Sequence, residues 1–352
     1  MNTAIMKARD IIAGYRGPKL CIMEVCGTHT HEIFRLGIRS LLPENVALIS
    51  GPGCPVCVTP VSYIDEAIFL AEERHATICT FGDLVRVPGT EKTLADARSR
   101  GARIQVVYTP LDAVTYAEEH PREEVVFLSV GFETTTPSAC LALKRAEAQD
   151  IANFSLLTAN KTMPAAYEAM ASHTDAYLYP GHVCAITGTS LPESLTKQGI
   201  SGAVAGFTAS ELLTALAVIE KSRSCKPFFV NAYPRVVRPE GNPAARALVA
   251  QFMEPCDAEW RGLGVLEASG LQLRAAFAAR DARVRFSIPE IAGRERHACH
   301  CGAILQGLEK PTDCPLYSTA CTPDHPVGAC MVSREGACSA YYLYGGLGRN
   351  FA

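Results

Sequence analysis

The chain of 352 residues has one tryptophan, only 7% aromatic and 20% charged residues, and a formal charge of -3. It contains no run of lysine and arginine long enough to make a basic arm, and a weakly negative chain does not gather phosphate backbones, so no nucleic-acid partner is expected. It also lacks a long apolar run. The least polar stretch, Ser201 to Ile219, is interrupted by Ser, Thr and Glu211 and reads as a strand followed by an amphipathic helix rather than a membrane span. The opening residues, MNTAIMKARDIIAGYRGP, lack the continuous apolar core and small-residue cleavage site of a signal peptide, which predicts a cytoplasmic protein with no membrane partner. The glycines form neither a Walker loop nor a dinucleotide fingerprint.

Cysteine, by contrast, is abundant. Hydrophobic residues make up an ordinary 48% of the chain, enough for two or three domains with cores of their own, but fifteen cysteines exceed what packing needs. In a reducing compartment they are not explained as structural disulfides, which leaves metal binding or redox chemistry.

From Leu20 to about Phe207 short apolar runs alternate with amphipathic segments, the pattern of parallel strands joined by crossover helices. Eight strands are predicted: LCIMEV (20–25), VALIS (46–50), ATICTF (76–81), RIQVVY (103–108), VVFLSV (125–130), FSLLTA (154–159), AYLY (176–179) and GAVAGF (202–207). Thr-Pro pairs at Thr59-Pro60, Thr109-Pro110 and Thr136-Pro137 mark helix starts, where Thr can cap and Pro suits the first helical position. The acidic stretch EEHPREE (118–124) separates two groups of strands. The expected fold is therefore α/β, with two Rossmann-like domains of parallel sheet facing a central cleft. The expected division is an N-terminal helix (1–20) packing on the C-terminal domain, α/β domains over 21–120 and 121–230, and a small cofactor-organised domain over 231–352.

Ligands of parallel sheets bind beyond the carboxyl ends of the strands. Five such ends carry unusual residues: CGTHTH (26–31), GPGCPVC (51–57), FGDLVRVPG (81–89), GFETTTP (131–137) and PGHVCAITG (180–188). Cys26, His29 and His31 form a partial transition-metal set, or else a histidine cap and a buried thiol. Cys54 and Cys57 read as a redox dithiol, or as half of a zinc site whose second close pair is missing. Asp83 and Glu133 follow strands directly and suit either a ligand or the helix dipole. His182 is a candidate ligand, acid-base group or structural histidine.

Six thiols, Cys299, Cys301, Cys314, Cys321, Cys330 and Cys338, crowd into forty residues of the tail. Four thiolates suit zinc or a four-iron cluster; wide, unequal gaps favour the cluster, without choosing four of the six.

The motifs MEVCGTHTH, GPGCPVCVTP, FGDLVRVPG, GFETTTP and PGHVCAITG, followed by the cysteine-rich tail, stand together in this order. In this the chain resembles the HypD family of [NiFe]-hydrogenase maturation factors. The resemblance extends over nearly the whole chain, including NAYPRVVRPEGNP (231–243) and WRGLGVLEASGL (260–271). It implies a [4Fe-4S] cluster on Cys301, Cys314, Cys321 and Cys338, with Cys299 and Cys330 as bystanders. It further implies essential thiols at Cys26, Cys54 and Cys57, with Cys26 the protein ligand of an iron atom and His29 near it. The implied role is a scaffold that holds this iron, with a HypC-type chaperone, while cyanide from a HypE-type donor and a carbonyl are added. The finished Fe(CN)2CO unit then passes to the hydrogenase large subunit, and the cluster supplies electrons through Cys54 and Cys57. Cys184 departs from the small non-thiol residue expected there. The alternative from another class is a stand-alone iron-sulfur disulfide oxidoreductase.

Overall fold

The computed structural model describes residues 3–345. Its strands are β1 (Leu20–Glu24), β2 (Val46–Ser50), β3 (Thr77–Thr80), β4 (Ile104–Val106), β5 (Val125–Gly131), β6 (Phe154–Asn160), β7 (Ala176–Pro180), β8 (Gly202–Ala205), β9 (Phe229–Asn231), β10 (Met253–Trp260) and β11 (Gly264–Leu273). They form a five-stranded sheet ordered β2-β1-β7-β8-β9, a four-stranded sheet ordered β4-β3-β5-β6, and the β10-β11 hairpin. Pairing within the two larger sheets is parallel, as in Ile22↔Leu48, Ile22↔Ala176 and Ile78↔Val126. All eight predicted strands are present; most are short apolar runs buried under crossover helices, while β4, with Gln105 and Val106 exposed, lies at the edge of its sheet.

The sheets do not divide the chain near residue 120. β1 and β2 pair with β7 to β9, and β5 pairs with β3, so EEHPREE lies inside the second sheet's sequence rather than between sheets. The chain leaves the first sheet after β2, builds the second, and returns at β7. Local polarity at 118–124 marks a surface turn, and nothing local records which distant strand is the neighbour. The N-terminal helix, Thr3–Ala13, also differs from expectation. It packs on the Ala209–Ser222 helix, where Ala8 and Ile12 join the core of the first sheet, rather than on the tail.

The Thr-Pro pairs have different local roles. Thr109 caps the Pro110–Glu119 helix in a reciprocal box with Asp112. The Thr59 hydroxyl instead donates to the Pro55 carbonyl at 2.8 Å, closing the short Pro55–Val58 helix, while Thr136 is already helical and donates to the Phe132 carbonyl at 2.8 Å. Beyond Pro227 the pattern-poor sequence supplies β9, an edge strand of the first sheet, and the hairpin. No helix among the described residues is long and apolar enough to cross a membrane.

Because each half of 21–120 donates strands to a different sheet, that segment expressed alone is expected to show no cooperative urea transition by circular dichroism. A sharp two-state transition from it would contradict the interleaved topology.

Candidate functional site

The first sheet reverses its strand order between β1 and β7, and the second between β3 and β5. Such switch points leave a crevice between diverging loops at the carboxyl ends. Cys26 follows β1 and His182 follows β7; Asp83 follows β3 and Glu133 follows β5. Four of the sequence candidates thus flank the two switch points.

The two crevices meet in one cleft of ≈ 370 Å³, lined by Cys26, Thr28, Gly53, Pro55 and His182 together with Phe132, Thr134, Thr135, Phe207 and Glu335. Cys26 is the N-cap of the Gly27–Arg35 helix, with the His29 and Thr28 amides lowering its proton affinity, yet burial dominates and raises the thiol's pKa. Its sulfur stands 3.9 Å from His182 Nδ1. Burial lowers His182 to about 4, so its imidazole is neutral and able to offer a lone pair.

His29 is placed differently. Fully buried, it donates from Nε2 to the Gly206 carbonyl at 3.0 Å and packs on Phe207, and its Nδ1 has no partner. Burial first, then His182, lowers it to about 3. His31 lies against Tyr344, 3.4 Å from its hydroxyl. His182, rather than either histidine of the CGTHTH motif, is the imidazole beside Cys26.

Glu133 turns inward from the cleft and accepts from the Met163 amide at 2.9 Å. Its second oxygen is buried without a partner, and burial lifts the carboxyl to about 7. Asp83 does not line the cleft, but after burial its charge raises Glu335. Glu335 and Glu24 were not among the sequence candidates. Glu335 comes from the tail to accept from the Thr28 hydroxyl at 2.8 Å. Glu24, in β1 under the cleft, accepts from Thr30 at 2.6 Å and from the Cys26 amide at 3.3 Å, and burial lifts it to about 7. An acidic residue within an apolar strand was the available cue for Glu24; for Glu335 there was none.

The dithiol adjoins this cleft. Cys54 and Cys57 cap and occupy the Pro55–Val58 helix as a disulfide, with Cα atoms 5.2 Å apart, within the span a bridge requires. Its approach to Cys26 needs glycine: a Cβ on Gly53 would lie 2.1 Å from Cys26 N, and Gly27 N–H donates to Gly53 O at 3.0 Å. On its other side the dithiol helix packs against Ala329–Val332, with Cys57 Sγ 4.0 Å from the Ala329 carbonyl.

That second helix carries Cys330 into a pocket lined by all six tail cysteines, with Ile304, Tyr317, Gly328 and Met331. The presumed bystanders are therefore not set apart: Cys330 Sγ stands 2.7 Å from Cys301 Sγ, and the built Cβ of Gly328 would meet Cys299 Sγ at 2.6 Å. Hydrogen bonds from Cys299 and Cys330 lower the pKa of Cys301. No group of three or more potential ligands among the described residues is arranged around a single ion. A pocket of thiols walled by apolar side chains, without carboxylate or imidazole, suits a metal-sulfur cluster, whose ligands stand at separate corners. Cys184 is buried in the apolar core next to Glu133 and Tyr167, away from the cleft lining.

Fold and site together define a two-sheet α/β protein in which a thiol-bearing cleft is linked, through a dithiol helix, to a cysteine-lined tail. The profile described as "HypD: Hydrogenase formation hypA family" matches residues 3–345. The "Hydrogenase maturation factor HypD" of Cupriavidus necator is 43% identical over 343 residues, covering 94% of this chain and 90% of that protein. Its counterpart from Rhizobium leguminosarum is 44% identical over 337 residues, covering 92% and 88%. That of Rhodobacter capsulatus is 41% identical over 353 residues, covering 97% and 94%. The chain belongs to the HypD family of hydrogenase maturation factors.

Two measurements check this geometry. Gly53→Ala is expected to destabilise the protein by about 1–3 kcal/mol, because neither backbone at the contact can yield, and a urea midpoint within error of wild type would refute the close approach. Stability is also expected to depend on pH through His29 and His182. Their folded pKa values, about 3 and about 4, lie below that of an unfolded histidine, so the unfolded chain binds more protons below about 6.5. Their contribution is complete above that pH and declines as pH falls toward 4, and His29→Gln should flatten this dependence in urea titrations.

Proposed function

We propose that this chain is the scaffold on which the iron unit of a [NiFe] hydrogenase is built, acting in the cytoplasm with a HypC-type chaperone and a HypE-type cyanide donor. The observation that carries the reading is the placement of one thiol, Cys26, beside a neutral imidazole at a switch-point cleft, in backbone contact with a dithiol helix. The iron is cargo: Cys26 supplies a soft thiolate donor, which low-spin iron bearing cyanide and carbonyl favours, and His182 offers a lone pair or accepts a proton 3.9 Å away. Burial disfavours the free thiolate, so binding of the cation is what releases the Cys26 proton. The cleft walls, Phe132 and Phe207 among them, limit water around the cargo.

Cys301, Cys314, Cys321 and Cys338, or a set drawing on Cys299 or Cys330 from the same pocket, would hold a [4Fe-4S] cluster. When bound, that group supplies single electrons. Cys54 and Cys57 accept two electrons and two protons on opening to the dithiol, and their helix touches both the Cys26 loop and the cysteine pocket. The same contact supports the second reading, a stand-alone disulfide oxidoreductase, which differs by turning over repeatedly without a partner.

Protein purified anaerobically from competent cells with its small partner is expected to show infrared bands of iron-bound cyanide and carbonyl. Cys26→Ala should abolish these bands and leave the brown cluster absorption, whereas Cys314→Ala should bleach the absorption and destabilise the tail. Bands that persist in Cys26→Ala would remove Cys26 from the iron site, and absence of bands in the wild-type complex would sink the scaffold reading.

A further inference from the structure

The turn at Trp260–Gly262, between the strands of the hairpin, lies far from the cleft motifs in sequence and has no chemical role in the reading above. In space it touches both redox-capable elements. The Arg261 amide donates to the Val58 carbonyl at 2.9 Å, and its guanidinium donates from Nε and Nη2 to the Thr59 carbonyl at 3.1 and 2.9 Å. Arg261 thus grips the end of the dithiol helix, by its amide one residue and by its guanidinium two residues beyond Cys57. The next residue, Gly262, adopts φ +81 and packs so closely on Gly302 that a Cβ there would lie 2.6 Å from Gly302 Cα, one residue from Cys301. Gln306 fastens the same turn by donating to the Gly262 carbonyl at 2.6 Å.

Arg261 is 6% exposed, an uncommon position for a permanent cation. The carboxylate paired with it among the described residues, Glu295, is 3.6 Å from Nη1 and 48% exposed, so water weakens the neutralisation it provides. Thr59 offers a carbonyl, and carbonyl bonding leaves the charge in place. Anchorage of the helix end alone would be served by a neutral donor such as glutamine. A buried, incompletely neutralised charge between a disulfide and a thiol pocket stabilises whichever nearby state is more negative.

We propose that Arg261 is a positioning and charge-setting residue for the Cys54–Cys57 couple, holding the end of its helix against the cysteine tail and biasing the pair toward the reduced form. This rests on the reading of Cys54 and Cys57 as a redox dithiol. Reduction breaks one S–S bond and takes up two electrons and two protons; with glutathione as donor, two molecules are consumed and one glutathione disulfide is released. At pH 8 a reduced cysteine that sheds its proton becomes a thiolate, and the guanidinium lowers the energy of that product and not of the disulfide.

The test is a redox titration of the full-length protein at pH 8 in glutathione buffers, with the Cys54/Cys57 state read by mass shift after alkylation. Arg261→Met is expected to move the equilibrium at least tenfold toward the disulfide, equivalent to about 30 mV, and Arg261→Lys, which keeps the charge, by less. Glu295→Gln removes the partial neutralisation and should move it severalfold the other way. A merely structural role for Arg261 predicts no such reversal of sign. Folding of each variant is checked by its urea transition; if Arg261→Met does not fold, the direction of the Glu295→Gln shift decides. A wild-type pair that does not titrate as a two-electron couple overturns the dithiol reading itself. A wild-type pair that titrates normally, with Glu295→Gln and the folded Arg261 variants superimposed on it, overturns the Arg261 inference alone.

Discussion

The backbone-to-backbone contact between Gly53 and Cys26 is the constraint around which the site is arranged. Two loops from adjacent parallel strands, β1 and β2, would ordinarily be held apart by their side chains. Glycine at Gly53 removes that separation, and the Gly27–Gly53 hydrogen bond satisfies an amide that the helix beginning at Gly27 leaves without an internal partner. The dithiol is brought against the cleft thiol without a dedicated linker. A second close approach, Gly27 against Glu335, brings the tail to the same place.

Burial then sets the chemistry in and beneath the cleft. Cys26, Glu24 and Glu133 are shifted toward their protonated forms and His29 and His182 toward theirs without the proton, so each is biased to neutrality by the same cause. Burial thus disfavours the charged form of each of these groups. The tail follows another logic. Its short helices bury little apolar surface by themselves, and its thiols join the largest apolar cluster of the protein, alongside Trp260 and Tyr179. Its packing therefore draws on elements from elsewhere in the chain.

Much of this was legible in the sequence. The eight strands of the α/β region are largely apolar and bounded by turns, so local periodicity sufficed to locate them. Candidates at Cys26, His182, Asp83 and Glu133 were found because ligand-facing residues of parallel sheets follow strand ends, whichever strands pair. The six tail thiols announced themselves by density alone.

Only tertiary structure decided the rest. Pairing of β1 with β7 and β3 with β5 interleaves the two sheets, a choice made by side-chain packing between residues more than a hundred positions apart in the first case. The same packing selected His182 over His29 and His31 as the neighbour of Cys26, since helix geometry in CGTHTH turns one imidazole to Gly206 and the other to Tyr344. It placed Glu335 over the cleft and Cys330 beside Cys301, where sequence spacing carries no record of either contact. Sequence by itself determined which residues are chemically competent and which strand ends display them, because those properties are local. Their assembly into one thiol-linked site was decided by the fold, because it depends on distances that close only when the chain returns to its first sheet.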